Sequence, residues 1–364
     1  MTLAQDSLLE QLEAFARQNI HKRADALRRV TDLFMSGAGR FSEEQVALFD
    51  DVMGRLLIEL DKSVRVAFGC RLAQVAGAPP RVMRGLALDD AIEVAGPVLS
   101  QSEALDEGTL VEGARTKSQD HLLAISRRKV LGEAVTDVLI ARGDHTVAVS
   151  TASNPGAQFS ELGYSTLVER SRNDGELTLV MWVRPEIPRQ HLLVLFAEAS
   201  EAVRQTLEAT GLARGGVLQG VIAEASNRIQ AELREISEVY SAARNMVMAL
   251  HADGKLDEAQ LAQFASAGNF DEATVALSLM ADLPIAVIER AIANRSTEQI
   301  LVLAKAIGLG WETARSVLLM RAATERSLPS EVDSHYETFA RLRPDTAKKA
   351  MQFYRLRERA AAGN

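Results

Sequence analysis

A signature that recurs five times in the first half of the chain constrains the fold more than any other feature. An aspartate is followed by an apolar residue three positions later, and by a small or apolar residue three positions after that. The copies begin at Asp61, Asp89, Asp120, Asp144 and Asp174. Aspartate is a favoured N-cap, because its carboxylate accepts hydrogen bonds from N–H groups of the first turn. Successive copies lie 24 to 31 residues apart, which is enough for a short helix pair each, so the signature predicts a helical solenoid.

The residues around these copies indicate where helices begin and end. Ser42 and Gln45 have the spacing of a capping box at the start of an N-terminal amphipathic helix. Pro-Pro at 79–80 and Asn-Pro-Gly at 154–156 break helices and predict turns between repeats. Alternating apolar residues at 175–183 are compatible with a strand, but the repeat context favours a helix there.

The central region carries a heptad pattern. One helix is predicted from about 188 to 209, and glycines at 211, 215 and 216 interrupt it. A longer helix is predicted from about 217 to 252, with apolar residues every seven positions and a second set four residues after them. Two interpretations are open: an antiparallel hairpin with the preceding helix, or a self-association seam of a homodimer. The dimer would use Ile222, Ile229, Leu233, Ile236 and Tyr240.

A different repeat follows, with an offset of 26 residues between positions 271 and 297. Each copy predicts a helix, a short turn at 282–284 or 308–310, and a second helix. The last thirty residues carry seven Lys or Arg against three acidic residues, although the whole chain has a net charge of −8. The sequence thus predicts four regions: helical repeats at 1–187, a helical hairpin with the heptad helix at 188–252, helix-hairpin repeats at 253–330, and a basic tail at 331–364.

The sequence offers no pattern typical of a catalytic, cofactor or metal site. The glycines at 211–220 lack the spacing and the preceding strand of a phosphate-binding loop. The equivalent pairs Asp120-His121 and Asp144-His145 would have to bridge helices about 8–10 Å apart to share a metal, and the other histidines lack metal-ligand spacing. We therefore expect no enzymatic activity, no cofactor and no metal. Cys70, the single cysteine, is expected to be a small buried hydrophobic residue. The N-terminus has no signal-peptide pattern and no apolar run reaches the length of a membrane span, which predicts a cytoplasmic protein.

The densest polar cluster outside the tail lies at 116–129. It combines the sequence TKSQDH at 116–121 with a basic run at 127–129 and with polar residues of the preceding repeat. We predict that these side chains line one surface of the solenoid and bind a partner there. The predicted surface consists of Asp89, Asp90, Gln101, Lys117, Gln119, His121, Arg127 and Arg128.

Several segments resemble an uncharacterised bacterial family that is described only as a domain of unknown function with HEAT-like helical repeats. They are the runs at 48–52 (LFDDV), 86–105 (LALDDAIEVAGPVLSQSEAL), 116–128 (TKSQDHLLAISRR) and 135–139 (VTDVL), and the resemblance extends over about residues 20–320. It implies an all-α fold with HEAT-like repeats and a bacterial cytosolic origin. It implies no established activity and no catalytic residue.

The leading functional prediction is a non-enzymatic scaffold whose stacked helices bind a protein partner. The first alternative is a nucleic-acid-binding HEAT-like repeat protein, including the DNA glycosylase type. The acidic balance of the chain and its scattered basic clusters argue against nucleic acid as a partner. The second alternative is an adaptor that is recruited to membranes through its basic tail.

Overall fold

The computed structural model describes residues 20–58, 60–172, 174–184, 186–197, 199, 228–293, 296–325 and 329–362. Within these ranges the secondary structure is helical, apart from one isolated bridge between Leu131 and Ala157. The predicted all-α fold is confirmed. The chain divides into two compact units, residues 1–163 and 164–364. No helix of the described ranges combines the length and apolarity needed to cross a membrane.

Nine helices are described ahead of the boundary between the units. They are α1 (Ile20–Gly37), α2 (Glu43–Leu57), α3 (Lys62–Leu72), α4 (Pro80–Ala87), α5 (Ile92–Gln101), α6 (Glu107–Thr116), α7 (Gln119–Ser126), α8 (Glu133–Arg142) and α9 (His145–Ser153). From α2 onward, successive helices alternate between two layers. The helices α3, α5, α7 and α9 pack in order in one layer, and α2, α4, α6 and α8 pack in order in the other. Each helix therefore contacts its counterpart one repeat away as well as its neighbour along the chain.

The core of the first unit lies between these layers. Leu72, Met83, Leu99, Leu122 and Ile125 are among its fully buried side chains. They come from α3, α4, α5 and α7, so consecutive repeats share one continuous apolar interior. Each such side chain contributes about 1.5–3 kcal/mol when it is removed from water.

The five signature aspartates do not all cap helices. Asp144 and Asp174 do so, accepting from the N–H groups three residues later at 2.9 and 3.0 Å. Asp61 occupies an N-cap position without a side-chain bond. For Asp89 and Asp120 the prediction is wrong: α5 begins three residues after Asp89, and Asp120 is the second residue of α7. The pattern located helix starts to within a few residues but did not identify every cap.

Two other local predictions in the first unit are confirmed and one is wrong. The capping box forms, since the Ser42 hydroxyl accepts from the Gln45 N–H and the Gln45 side chain accepts from the Ser42 N–H. The breaks at 79–80 and 154–156 fall between helices as predicted: Pro79 is the N-cap of α4 with Pro80 as its first residue, and 154–156 follow α9. Cys70, however, is exposed on α3 instead of buried. Its neighbours Phe68 and Leu72 occupy the buried face of that helix.

The second unit begins within α10 (Glu161–Ser171), which is followed by α11 (Gly175–Trp182) and a helical stretch at 189–197. The helix prediction for 175–183 is therefore confirmed. After the undescribed residues come a helical stretch at 228–236 and the remaining helices of the chain. These are α12 (Glu238–Ala252), α13 (Glu258–Ser266), α14 (Phe270–Ala281), α15 (Ile285–Ala293), α16 (Glu298–Ile307), α17 (Trp311–Glu325), α18 (Pro329–Asp333), α19 (Tyr336–Arg341) and α20 (Pro344–Ala362).

The predicted uninterrupted heptad helix is wrong in its described part. Ser237 breaks it and caps α12, accepting from the Tyr240 N–H at 3.1 Å. Tyr240 and Val247 of the seam are buried in the core of their own unit, so Tyr240 is not available to a second copy. Ile229 and Ile236 are exposed. Ile222 and the predicted helix break at 211–216 lie outside the described residues.

The offset-26 repeat is confirmed as two helix hairpins, α14–α15 and α16–α17. Asp282 and Gly308 occupy equivalent turn positions and are both left-handed, with φ of 50° and 86°. The N–H of the next residue, Leu283 or Leu309, bonds in each case to the carbonyl five positions earlier, at 3.1 and 2.9 Å. This is the Schellman arrangement, which satisfies the carbonyls that a helix end leaves free.

The basic C-terminal segment folds onto the second unit through α18, α19 and α20. Helix α20 packs along α16. Phe339, Ala347 and Met351 join the core that contains both helix hairpins. Arg355 of α20 donates from Nε to the carbonyl of Ala281 at 3.1 Å, and so satisfies the last carbonyl of α14.

Candidate functional site

Five members of the predicted partner surface lie near the N-terminal ends of α5 and α7. Asp89 Oδ2 accepts a hydrogen bond from Nε of Arg65, in the preceding repeat, at 2.7 Å. Lys117 donates to Asp90 Oδ1 at 2.6 Å. His121 is only 2% exposed, with Nε2 lying 3.0 Å from the Asp89 carbonyl oxygen. His121 was predicted to lie on the partner surface, and this placement is wrong because its side chain is buried.

Lys117 also changes the acidity of Asp90. Its hydrogen bond, followed by its positive charge, lowers the pKa of Asp90 below the usual range for aspartate. The Asp90 side chain remains almost fully exposed, so solvent screens this pair and its net stabilisation is small. Asp90 remains accessible to a partner.

Gln119 connects the N-terminal ends of α7 and α9. Its side-chain oxygen accepts from the Asp144 N–H at 2.8 Å, and its Nε2 donates to the Arg142 carbonyl at 3.1 Å. Asp144 is the N-cap of α9, so a side chain of one repeat supports the cap of the next.

The other three members lie near the C-terminal ends of α5 and α7. Arg128 donates to the carbonyls of Leu99 and Ser102 at 2.6 and 2.8 Å, where α5 ends. Burial lowers the pKa of Arg128. The side-chain oxygen of Gln101 accepts from Gln74 at 3.4 Å. Arg127 is exposed, and within the described residues no hydrogen bond or ion pair of its side chain is seen.

The contact made by Arg128 recurs along the stack. Arg142, the last residue of α8, donates to the carbonyls of Ala114 and Lys117 at 2.6 and 2.9 Å, where α6 ends. Asn154, directly after α9, donates to the carbonyls of Ser126 and Arg128 at 2.8 and 2.7 Å, where α7 ends. At the ends of α7, α8 and α9, a polar side chain thus caps the counterpart helix one repeat earlier. We call Arg128, Arg142 and Asn154 the C-terminal ties.

The eight predicted residues therefore form two groups, one near each end of α5 and α7. The ten residues of α5 separate its two ends by about 15 Å. Most of the polar atoms in both groups bond within the chain. Only Asp90, Gln101 and Arg127 are exposed.

Sequence reasoning did not find a buried polar cluster in the second unit. We call it the ion cluster, and it consists of Arg189, Arg234, Asp271 and Glu289. Glu289 is completely buried, and its two oxygens accept from Arg189 and Arg234. Arg189 also donates from Nε to Asp271 Oδ1 at 2.7 Å, and its guanidinium lies 4.7 Å from the centroid of the Tyr240 ring.

The charges of the ion cluster balance. Burial lowers the pKa of Arg189, but the charges of Glu289 and Asp271 outweigh it, so the pKa is raised and the guanidinium stays charged. The cluster joins the helical stretches at 189–197 and 228–236 to the α14–α15 hairpin. Both of its carboxylates are bonded to arginines, and within the described ranges no three His, Cys, Asp or Glu side chains come together as metal ligands would. The geometry supports a structural role.

Comparison with known proteins identifies the family but no activity. No curated protein matches the chain, and no solved structure matches it either. A family model described as "Uncharacterised protein conserved in bacteria (DUF2336)" matches residues 94–352, well over half of the chain. The matched stretch crosses the boundary between the two units and reaches into α20, whereas the resembling run at 48–52 lies before it. The chain therefore belongs to the DUF2336 family of uncharacterised bacterial proteins.

Proposed function

We propose that the protein is a non-enzymatic scaffold that binds a protein partner in the bacterial cytoplasm, and that its first unit is a HEAT-like α-solenoid. The two alternating layers of α2–α9 support this proposal, because each repeat contacts mainly the repeats beside it, as in solenoids. Stacks of this kind commonly present extended surfaces to other proteins. The fold itself supports binding only by analogy.

The bonding of the C-terminal ties between repeats is the observation that carries the proposal. Arg128 and Arg142 direct their guanidinium groups to backbone carbonyls of the previous repeat. The polar cluster therefore rigidifies the stack instead of converging on a reaction centre. The exposed residues Asp90, Gln101 and Arg127 at the two ends of the helices are the part of the predicted surface that a partner can reach.

The same contacts weigh against nucleic acid as the partner. Phosphate binding depends on accessible Lys and Arg side chains, and two arginines of the polar region already bond to carbonyls. The net charge of −8 adds repulsion. Fluorescence anisotropy with duplex DNA at low and high salt separates the two functions, since salt-sensitive binding would favour the nucleic-acid alternative.

Photo-crosslinking from the exposed positions tests partner binding. A photo-crosslinking residue at position 127, expressed in a bacterial host of the family, is expected to give one heteromeric product of constant size. With the crosslinker at position 101 instead, Arg127→Glu should reduce the yield of the crosslinked product. The substitution should not change the unfolding midpoint. Absence of any product from positions 90, 101 and 127, with the protein fully folded, would contradict the proposed surface.

A second candidate, self-association, is favoured by exposed apolar residues beside Ser237. Ile236 and Val239 are 76% and 75% exposed, and Ile229 and Met246 lie one heptad further out on either side. Exposed apolar side chains grouped in this way often mark protein contacts.

Light scattering with size-exclusion chromatography tests the homodimer. The paired substitutions Ile236→Glu and Val239→Glu should convert a dimer into a monomer. Leu179→Glu is the matched control, since Leu179 is 65% exposed on another helix of the same unit. A wild-type chain that is monomeric at every accessible concentration would reject the homodimer.

A further inference from the structure

Helix α20 presents two different faces along its length. Its inner face carries Ala347 and Met351, which are buried in the core of the second unit. Arg355 extends this face by bonding to the Ala281 carbonyl. The helix is therefore fixed to its own unit, and the opposite face is presented outward.

The outward face combines large apolar groups with cations. Phe353 and Leu356 are each 67% exposed, a high value for large apolar side chains on a helix that is otherwise docked. Lys349 lies one helical turn before Phe353 and two turns before Leu356, so the three share a face. Lys348 is also exposed, about 100° around the helix from Lys349. We call these four residues the basic-apolar face.

The cations of this region are not neutralised within the described part of the chain. Lys348 and Lys349 form no ion pair with the described residues, and neither does the exposed Arg343 just before the helix. Asp345 is the single acidic residue on the described outward side. Arg341 differs, because it pairs with Glu337 at 2.8 Å. The region thus keeps a local positive charge although the chain as a whole is acidic.

We propose that the basic-apolar face binds the surface of an anionic lipid bilayer, with the axis of α20 parallel to the membrane plane. Phe353 and Leu356 enter the boundary between headgroups and acyl chains, and the lysines contact anionic headgroups. Lysine suits this position because its aliphatic stem lies along apolar surface while its ammonium group stays in water. A bilayer fits better than an acidic protein, because a convex helix face with two protruding apolar side chains inserts between lipids without requiring a complementary groove. This inference is independent of the scaffold function.

Vesicle co-sedimentation of the full chain tests the proposal. Phosphatidylcholine vesicles with and without phosphatidylglycerol are compared at low and high salt. The chain should bind the anionic vesicles, bind neutral vesicles at least about tenfold more weakly, and dissociate as salt screens the lysines. Lys348→Glu with Lys349→Glu should reduce binding to anionic vesicles by more than about tenfold. Phe353→Ala with Leu356→Ala should also reduce binding to anionic vesicles. The binding that remains should keep its dependence on salt.

The matched control reverses two exposed cations of the first unit, Arg115→Glu with Lys129→Glu, and so makes the same change in net charge. This control should bind vesicles like the wild type, and circular dichroism verifies that each variant is folded. Phe353→Trp gives a second readout, because its emission should shift to the blue with anionic vesicles only. Equal loss of binding in the control, no binding of the wild type to anionic vesicles, or binding to polyglutamate but not to vesicles would each overturn the proposal.

Discussion

At the scale of single residues, Asp106 shows what one carboxylate contributes to this fold. Its Oδ1 accepts from the Thr109 N–H at 2.6 Å and caps α6. Asp106→Ala is expected to lower the free energy of unfolding by about 0.5–2 kcal/mol, which urea denaturation measures. The control is Asp120→Ala, because Asp120 is an exposed residue within α7 and makes no cap. Its cost should stay within about 0.5 kcal/mol. Equal losses in both variants would contradict the assignment of the cap.

The cap also predicts a pH dependence. The hydrogen bond with Thr109 lowers the pKa of Asp106 below its usual range in the folded chain. A carboxylate with a lowered folded pKa stabilises fully above its unfolded pKa, and this stabilisation is lost as the pH falls through the folded value. Asp106→Asn keeps a good cap without a titrating group, so the difference between it and the wild type should change only below about pH 4.

Gly308 provides a second test at this scale. Its φ of 86° is left-handed, and a Cβ added there would meet no atom within 4 Å. Gly308→Ala should therefore cost roughly 1–2 kcal/mol through backbone conformation alone. Gly54→Ala, in the interior of α2 and equally open, should instead stabilise by about 0.5–1 kcal/mol. Thermal unfolding of the two variants would refute the argument if both shifted in the same direction.

At the scale of secondary-structure elements, the ion cluster holds the helical stretches at 189–197 and 228–236 to α14 and α15. Glu289→Gln removes the charge that two buried arginines share, and we expect a loss of about 3–5 kcal/mol. Glu337→Gln is the control, since the Glu337–Arg341 pair is exposed on both sides and contributes less than about 1 kcal/mol. Denaturant unfolding followed by tryptophan fluorescence compares them. Similar losses would show that the cluster is not a structural requirement.

The elements also show which features a sequence can predict. The two hairpins were predictable because each depends on a local turn, and the offset of 26 residues repeats its bonding. The break at Ser237 was also present in the sequence, as a serine followed by an acidic first-turn residue, but the heptad pattern concealed it. The buried core was predictable in kind, since its residues follow helical spacing.

The candidate site was less predictable for physical reasons. The helix dipole alone favours arginine at the C-terminal end of a helix. The position of Arg142 in the sequence therefore does not predict that its side chain bonds to another helix. Arg189 meets Asp271 and Glu289 across 82 and 100 residues, and no local pattern encodes such distances. The residue types alone showed that the cluster at 116–129 is polar. The structure was needed to decide that His121 and Arg128 bond inward while Arg127 is exposed.

At the scale of the whole molecule, the two units have different features. The family match at 94–352 includes parts of both, so the DUF2336 sequence pattern combines the two-layer stack with the hairpin unit. The first unit stacks helices through the C-terminal ties. The second unit has the buried ion cluster and the basic-apolar face. The polar residues of the first unit hold successive repeats together.

Comparing Arg128→Met with Arg127→Met in the full chain tests this role of the polar residues. Trp182 and Trp311 both lie after residue 163, so a fluorophore on the exposed Cys70 reports unfolding of the first unit. Arg128→Met leaves two carbonyls without their charged donor, and the free energy of unfolding should fall by about 2–4 kcal/mol. Arg127→Met should change it by less than about 0.5 kcal/mol. Equal effects of the two substitutions, or no effect of Arg128→Met, would contradict the account.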